Sequence, residues 1–229
     1  MNQALPDPSP SARLPRKEGE DSRARLLQAG LRLFAHQGFA KTSTRELAHE
    51  AQCNIAAISY YFGDKAGLYR AVFFEPLGSP ADDIALYSNP QLSLEQALQG
   101  FFASFLEPLR QGDVARLCMK LHFREMLEPT GLWEEEIAQG IRPMHDALVA
   151  VLCRHFGLAE ADDELLRLAV CLAGMGVHLH VGRDITNQIA PSLNAGPDAI
   201  DHWAQTLVRY GMAMVAAEQA RRDATGAEA

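Results

Sequence analysis

The chain has 229 residues, 48% of them hydrophobic, and a formal net charge of −8. That is apolar side chain enough for one large core or two small ones. No run of eighteen apolar residues is present, so no membrane span is expected. The N-terminus, MNQALPDPSPSARLPRKEGE, lacks an apolar h-region and reads as a disordered arm, not a signal peptide. Cys53, Cys118, Cys153 and Cys171 show no CxxC spacing, which argues for reduced thiols and against a disulfide frame or zinc site. A cytoplasmic protein is the expectation.

The charge is unevenly spread. Residues 1–70 hold 10 Lys and Arg against 7 Asp and Glu, a net +3, and the remainder holds 11 against 22, a net −11. A locally basic head can bind phosphate by counterion release while an acidic body stays clear of it. In the arm, Arg13, Arg16 and Lys17 could follow a phosphate backbone or a minor groove.

In chain order, Asp21 or Ser22 caps a first helix whose apolar face is Leu26, Leu27, Gly30, Leu33 and Phe34, ended by Gly38. Thr42, Ser43 and Thr44 offer cap hydroxyls to a short second helix with Leu47, Ala48 and Ala51 on its inner face. Gln52 and Cys53 stop it. Asn54 opens a third helix, in which Ile58 and Phe62, four apart, share the buried face. Its other face carries Ile55, Ala56, Ala57, Ser59 and Tyr60. That surface is small and flat at its N-terminal end, as a helix entering a major groove requires. Arg45 can reach a base edge or a phosphate. Asp64 caps a fourth helix that begins at Lys65 and runs through Leu68, Val72 and Phe73 to Pro76, followed by a loop with Gly78, Pro80 and Pro90.

The rest of the chain repeats apolar residues at helical spacing, with no strand signal. Leu94, Leu98, Phe101, Phe102, Phe105 and Leu109 form one helix, and Val114, Leu117 and Leu121 the next. Trp133, Ile137, Ile141, Met144, Leu148 and Leu152 form a long third, bounded by Gly157. Phe and Met are abundant on these faces and suit an adaptable apolar pocket. Its expected lining is Phe101, Phe105, Met119, Phe123, Met126, Trp133 and Met144. Two last helices mix large residues with Gly174, Gly176, Ala213 and Ala217, which lets helices approach closely in a two-fold four-helix interface. Leu168, Leu172, Met175 and Leu179 on one, with Trp203, Leu207, Tyr210 and Met214 on the other, are the expected interface.

His178 and His180 are two apart and diverge, and a metal site that adds His122 or His145 is the minor reading. Glu134, Glu135 and Glu136 fan around a helix as a solvated face. No GxSxG, P-loop or HExxH motif occurs, so no catalytic residue, cofactor or metal is expected.

The stretch from Thr42 to Leu68 resembles the DNA-binding signature of the TetR family of bacterial transcription regulators. The matching residues are Thr44, Arg45, Leu47 and Ala48, then Tyr60, Tyr61 and Phe62, then Asp64, Lys65 and Leu68. The resemblance implies backbone contacts from Thr44, Tyr60 and Lys65, and base-facing roles for Arg45, Ile55, Ala56, Ala57 and Ser59, with Tyr61 in the same surface. Gln52 stands where the family usually has Gly, and Ser59 where it often has Tyr. FREMLEPTG at 123–131 and GIRPMHDALVAVL at 140–152 look like the CecR-like branch of that family.

The expectation is an all-α chain: a disordered arm over 1–20, a helix-turn-helix domain over 21–68, a helical effector-binding and dimerisation domain over 69–222, and a disordered tail over 223–229. Its expected function is that of a ligand-responsive transcription factor, read as a repressor. As a homodimer it would bind a palindromic double-stranded DNA operator and release it when a small, largely apolar effector enters the body. An all-helical enzyme and a protein-interaction module are the alternatives.

Overall fold

In the computed structural model, residues 16–76, 80–110 and 112–226 are described, and these are helices and short connections with no strand among them. Arg13, Gly78 and residues 227–229 lie outside the described residues. The chain divides into two units, Met1–Val72 and Phe73–Ala229.

The first unit holds α1 (Arg16–Gln37), α2 (Thr44–Glu50), α3 (Ala56–Phe62) and most of α4 (Lys65–Phe74). Helix α1 begins at Arg16, so residues 16–20, expected in the disordered arm, are helical. Its inner face is Leu26, Ala29, Phe34 and Ala35, all buried. Gly30 is needed there, because a Cβ would meet Val72 Cγ2 of α4 at 2.8 Å. Leu47, Ala48, Ile58, Leu68 and Val72 complete this small core. Phe34, Phe39 and Tyr69 close one end, with Tyr69 edge-on to Phe34 at 4.9 Å.

The second unit holds α5 (Pro80–Ala85), α6 (Leu94–Arg110), α7 (Asp113–Leu127), α8 (Leu132–Glu136), α9 (Arg142–Phe156), α10 (Asp163–Val181), α11 (Arg183–Ile189) and α12 (Ala199–Gly226). Helix α5 lies where a plain loop was expected. The long helix expected from Trp133 to Leu152 is split by a π-turn over Ile137–Ile141, which adds one residue to a turn and shifts the phase of the faces on either side. Helix α12 continues to Gly226, so residues 223–226, expected in the tail, are helical.

Leu98, Phe102 and Leu106 of α6, Leu148 and Leu152 of α9, Leu165 and Leu172 of α10, and Leu207 and Val215 of α12 form the core. This corrects the expected subunit interface. Leu172 is 0% exposed and Leu168, Leu179 and Leu207 are also buried within their own chain, so they have no surface to offer a partner. Met175, Trp203 and Met214 are half-buried against the same core, and Tyr210 alone of the set is exposed. The error is one of phase: α10 carries apolar residues on two faces, and Leu166, Val170 and Val181 occupy the exposed one. By length and hydropathy α10 could cross a bilayer, contrary to expectation, but its buried leucines make it a core helix here.

Pro108 sits inside α6, where its ring cannot donate to the preceding turn. There the His180 Nε2 and the Phe105 carbonyl oxygen are 2.7 Å apart, and the ring of Phe105 lies on Gly176, where a Cβ would come within 2.6 Å of it.

Candidate nucleic-acid interface and candidate effector site

The helix-turn-helix is fixed at its start by a reciprocal cap. The Glu46 N–H donates to the Ser43 hydroxyl at 3.2 Å, and the Ser43 N–H donates to the Glu46 carboxylate at 2.8 Å. The Ser43 hydroxyl, and after it the Ser43 N–H, hold the Glu46 carboxyl below its ordinary range. Thr42 is not the cap: it is buried, and its hydroxyl donates to the Gly38 carbonyl at 2.8 Å. Between α2 and α3 the chain turns through Gln52 at φ +51°, the left-handed region that glycine adopts without strain. Arg25 Nε donates to the Ala51 carbonyl at 3.0 Å and ties this turn to α1. The Ala56 N–H donates to the Asn54 side chain at 2.9 Å, opening α3.

Ile58 of α3 is buried, and the opposite face is open: Ile55 is 46% and Tyr60 82% exposed, with Ala56 and Ser59 also exposed and Ala57 half-buried. Arg45 is exposed on α2, Thr44 half-buried, and Tyr61 stands edge-on to Tyr60 at 4.8 Å. Lys65 differs from the expectation. Its ammonium donates to the carbonyls of Phe39 and Thr42, each at 3.0 Å, and lies 4.2 Å from the centroid of the Phe39 ring. Two of its three protons therefore hold the α1–α2 loop. Nothing in its local sequence reveals this, because the acceptors are 23 and 26 residues away.

In the second unit the expected pocket residues are only partly brought together. Phe101 is buried against Phe105, their rings 5.2 Å apart, and Phe123 stands 6.2 Å from the His180 ring. Met119, Trp133 and Met144 are half-buried. Met126 is 42% exposed, more open than the rest of the expected lining. A cavity of about 100 Å³ lies elsewhere, between Leu109, Leu179, Arg183 and Trp203.

Beside these aromatics lies a polar cluster of Glu125, His122 and Glu136, in which Glu125 carries no expectation from the sequence. Glu125 is fully buried, and its carboxylate accepts from the Thr130 N–H at 2.6 Å, the Thr130 hydroxyl at 2.9 Å and the Leu132 N–H at 3.2 Å. One signal was available: Cys118, Leu121, His122 and Glu125 follow the spacing of a buried helical stripe, so an acid at the last position lies on the inner face. His122 stacks flat on Phe73, centroids 4.0 Å apart, and its Nδ1 is 2.9 Å from the Cys118 carbonyl oxygen. Burial pushes its pKa down. Its Nε2 faces the Glu136 carboxylate at 4.0 Å. The Glu136 side chain is only 18% exposed and so is not part of a solvated acidic face, and burial pushes its pKa up. It folds back over Gly140, where a Cβ would meet Oε1 at 2.6 Å.

Comparison with known proteins places both units. Residues 26–72 match the family described as "Bacterial regulatory proteins, tetR family", and residues 94–218 match "HTH-type transcriptional dual regulator CecR, C-terminal domain". The HTH-type transcriptional dual regulator CecR of Shigella flexneri is 29% identical over 180 residues, which cover 73% of this chain and 79% of that one. A TetR-like transcriptional regulator from Rhodococcus sp. RHA1 shares the fold with a TM-score of 0.60 at 19% identity, covering 88% of this chain and 99% of that chain. The SmeT–triclosan complex aligns with a TM-score of 0.62 at 17% identity, covering 84% and 90%.

Proposed function

This chain belongs to the TetR family of bacterial transcription regulators, with a C-terminal domain of the CecR type, and on that premise we propose that it is a repressor whose homodimer holds a palindromic operator until an effector enters the body. It is a DNA-binding regulator, not an enzyme. The observation that carries the operator reading is the open face of α3, with Ile58 anchored beneath it and Ile55, Ala56, Ser59 and Tyr60 presented above. Small side chains at the start of the helix let the backbone approach a major groove, where Arg45 reads a guanine edge and hydroxyls take phosphate or base contacts. Thr44, Tyr60 and Tyr61 supply the phosphate contacts that set the register. Lys65 positions the loop and has one proton left for phosphate.

The dimer face in this proposal is the second apolar stripe of α10, Leu166, Val170, Gly174, Val177 and Val181, with Tyr210, Ala213 and Ala217 of α12. Val170 is 61% and Tyr210 53% exposed. A Cβ at Gly174 would meet nothing within 4 Å, so no contact within the chain explains a glycine there, and a closely packed partner helix does. A small-molecule effector is supported by the SmeT neighbour, which is a complex with triclosan. The place of action is the cytoplasm, where the DNA is.

Footprinting the purified protein on the DNA upstream of its own gene tests this reading. A protected, two-fold symmetric site is expected, and uniform weak binding to every duplex would leave the interaction-module alternative.

A further inference from the structure

His122 and Glu136 present an unusual opposition. The Cys118 carbonyl has only lone pairs to offer, so the His122 Nδ1 at 2.9 Å must carry the proton and donate. In the neutral ring that burial favours, Nε2 is then a bare acceptor. It is aimed at a carboxylate oxygen, also an acceptor, across a gap of 4.0 Å that is too long for a hydrogen bond. His122 is 9% exposed, and among the described residues Glu136 has no closer polar partner. Glu125, the other acid beside the ring, is already satisfied by Thr130 and Leu132. Two largely buried acceptors that face each other, each still with some access to solvent, leave a place for a donor between them. The π-turn and Gly140 hold the Glu136 carboxylate in this place, because an added Cβ would expel it. Phe73 beneath the imidazole supplies an aromatic wall, and Trp133 lies one turn before Glu136 on α8.

We propose that the gap between His122 Nε2 and the Glu136 carboxylate is the polar anchor of the effector site, and that it takes a protonated amine carried on an aromatic or apolar body. An ammonium has three donors and no acceptor, so it can bond both groups at once and balance the carboxylate. A carboxylate ligand would add a third acceptor. This deepens the effector reading above and rests on it. A ligand seated here also presses on the imidazole that stacks on Phe73.

The test uses the full chain with Trp203→Phe, which leaves Trp133 as the sole tryptophan, and titrates phenethylammonium, phenethyl alcohol and 3-phenylpropanoate as probes. The expected order is ammonium, then alcohol, with no measurable binding of the carboxylate, read by Trp133 emission and by the rise in melting temperature. Glu136→Gln should weaken the ammonium at least tenfold. The new amide can itself donate to His122 Nε2, so this variant should melt higher than the parent without ligand. Glu135→Gln, the neighbouring control, should change the affinity less than threefold. Equal binding of ammonium and carboxylate, an unchanged affinity in Glu136→Gln, no binding of the ammonium, or the same response to zinc alone would each overturn the proposal. Operator binding is measured on the same preparation. If it is present while the ammonium fails, the anchor is wrong and the regulator stands; if it is absent, the regulator reading falls whatever the probe does.

Discussion

The two units carry the same kind of helix but expose their sequence logic differently. In the first, α2 and α3 are short and each has one apolar face, so burial of Leu47 or Ile58 leaves no choice about which side is open. In the second, α10 has apolar residues all round: Leu172 is 0% and Val170 61% exposed, two residues apart. A one-sided helix states its orientation, and a two-sided helix states only that both faces are used. Which face is core and which meets a partner is decided by the other helices, not by α10.

The largest expected effect breaks that comparison at its sharpest point. Leu172→Asp should unfold the second unit or cost it at least about 3 kcal/mol, because a carboxylate replaces a fully buried side chain. Val170→Arg, on the other stripe, should keep the monomer's stability within about 0.5 kcal/mol and split the dimer. Thermal melts and sedimentation check both. A Val170→Arg protein that sediments as a dimer would move the interface off this stripe.

The first unit offers a matched pair. Lys65→Met should lower stability by about 1–3 kcal/mol, because the Phe39 and Thr42 carbonyls lose a charged donor. Arg45→Ala should leave stability within about 0.5 kcal/mol while weakening specific operator binding by about 1–3 kcal/mol. If Lys65→Met melted like the parent and lost only DNA binding, its loop role would be secondary to phosphate contact.

A smaller effect is expected at the turn. Gln52→Gly should stabilise the protein by about 1 kcal/mol, since Gln52 is held at positive φ. A destabilised variant would mean that the Gln52 side chain makes an interaction worth more than that strain.

Acid sharpens the contrast within the second unit. Asp162 is held at about 2, first by its hydrogen bonds from Arg222 and then by the Leu165 N–H, against an ordinary 3.8. Its stabilisation is present above 3.8 and is lost as the pH falls through about 2. His122 is shifted down by burial, so the unfolded chain takes up its proton first and stability falls as the pH drops below 6.5. His180 is shifted down by burial in the same way, so a melting series from pH 8 to pH 2 should show both losses, and His122→Gln should reduce the upper one without touching the lower.

How much was legible follows from these residues. The Ser43 cap, the Asn54 start, the buried Ile58 and the open face of α3 are local patterns, and the sequence carries them within a few positions. The all-helical body was legible for the same reason. Lys65's carbonyls, the π-turn that turns Glu136 inward and the phase of α10 were not. The first depends on acceptors more than twenty residues away, the second on one extra residue in a turn, and the third on which neighbours fill the core.

The most direct measurement is the ratio of affinities for the protein's own upstream sequence and for an unrelated duplex, taken across a range of salt. A sequence-reading α3 predicts a ratio of about 1,000 or more near physiological salt, falling sharply in Arg45→Ala. A ratio near one, with an affinity that responds to salt alone, would mean that the open face of α3 reads no sequence.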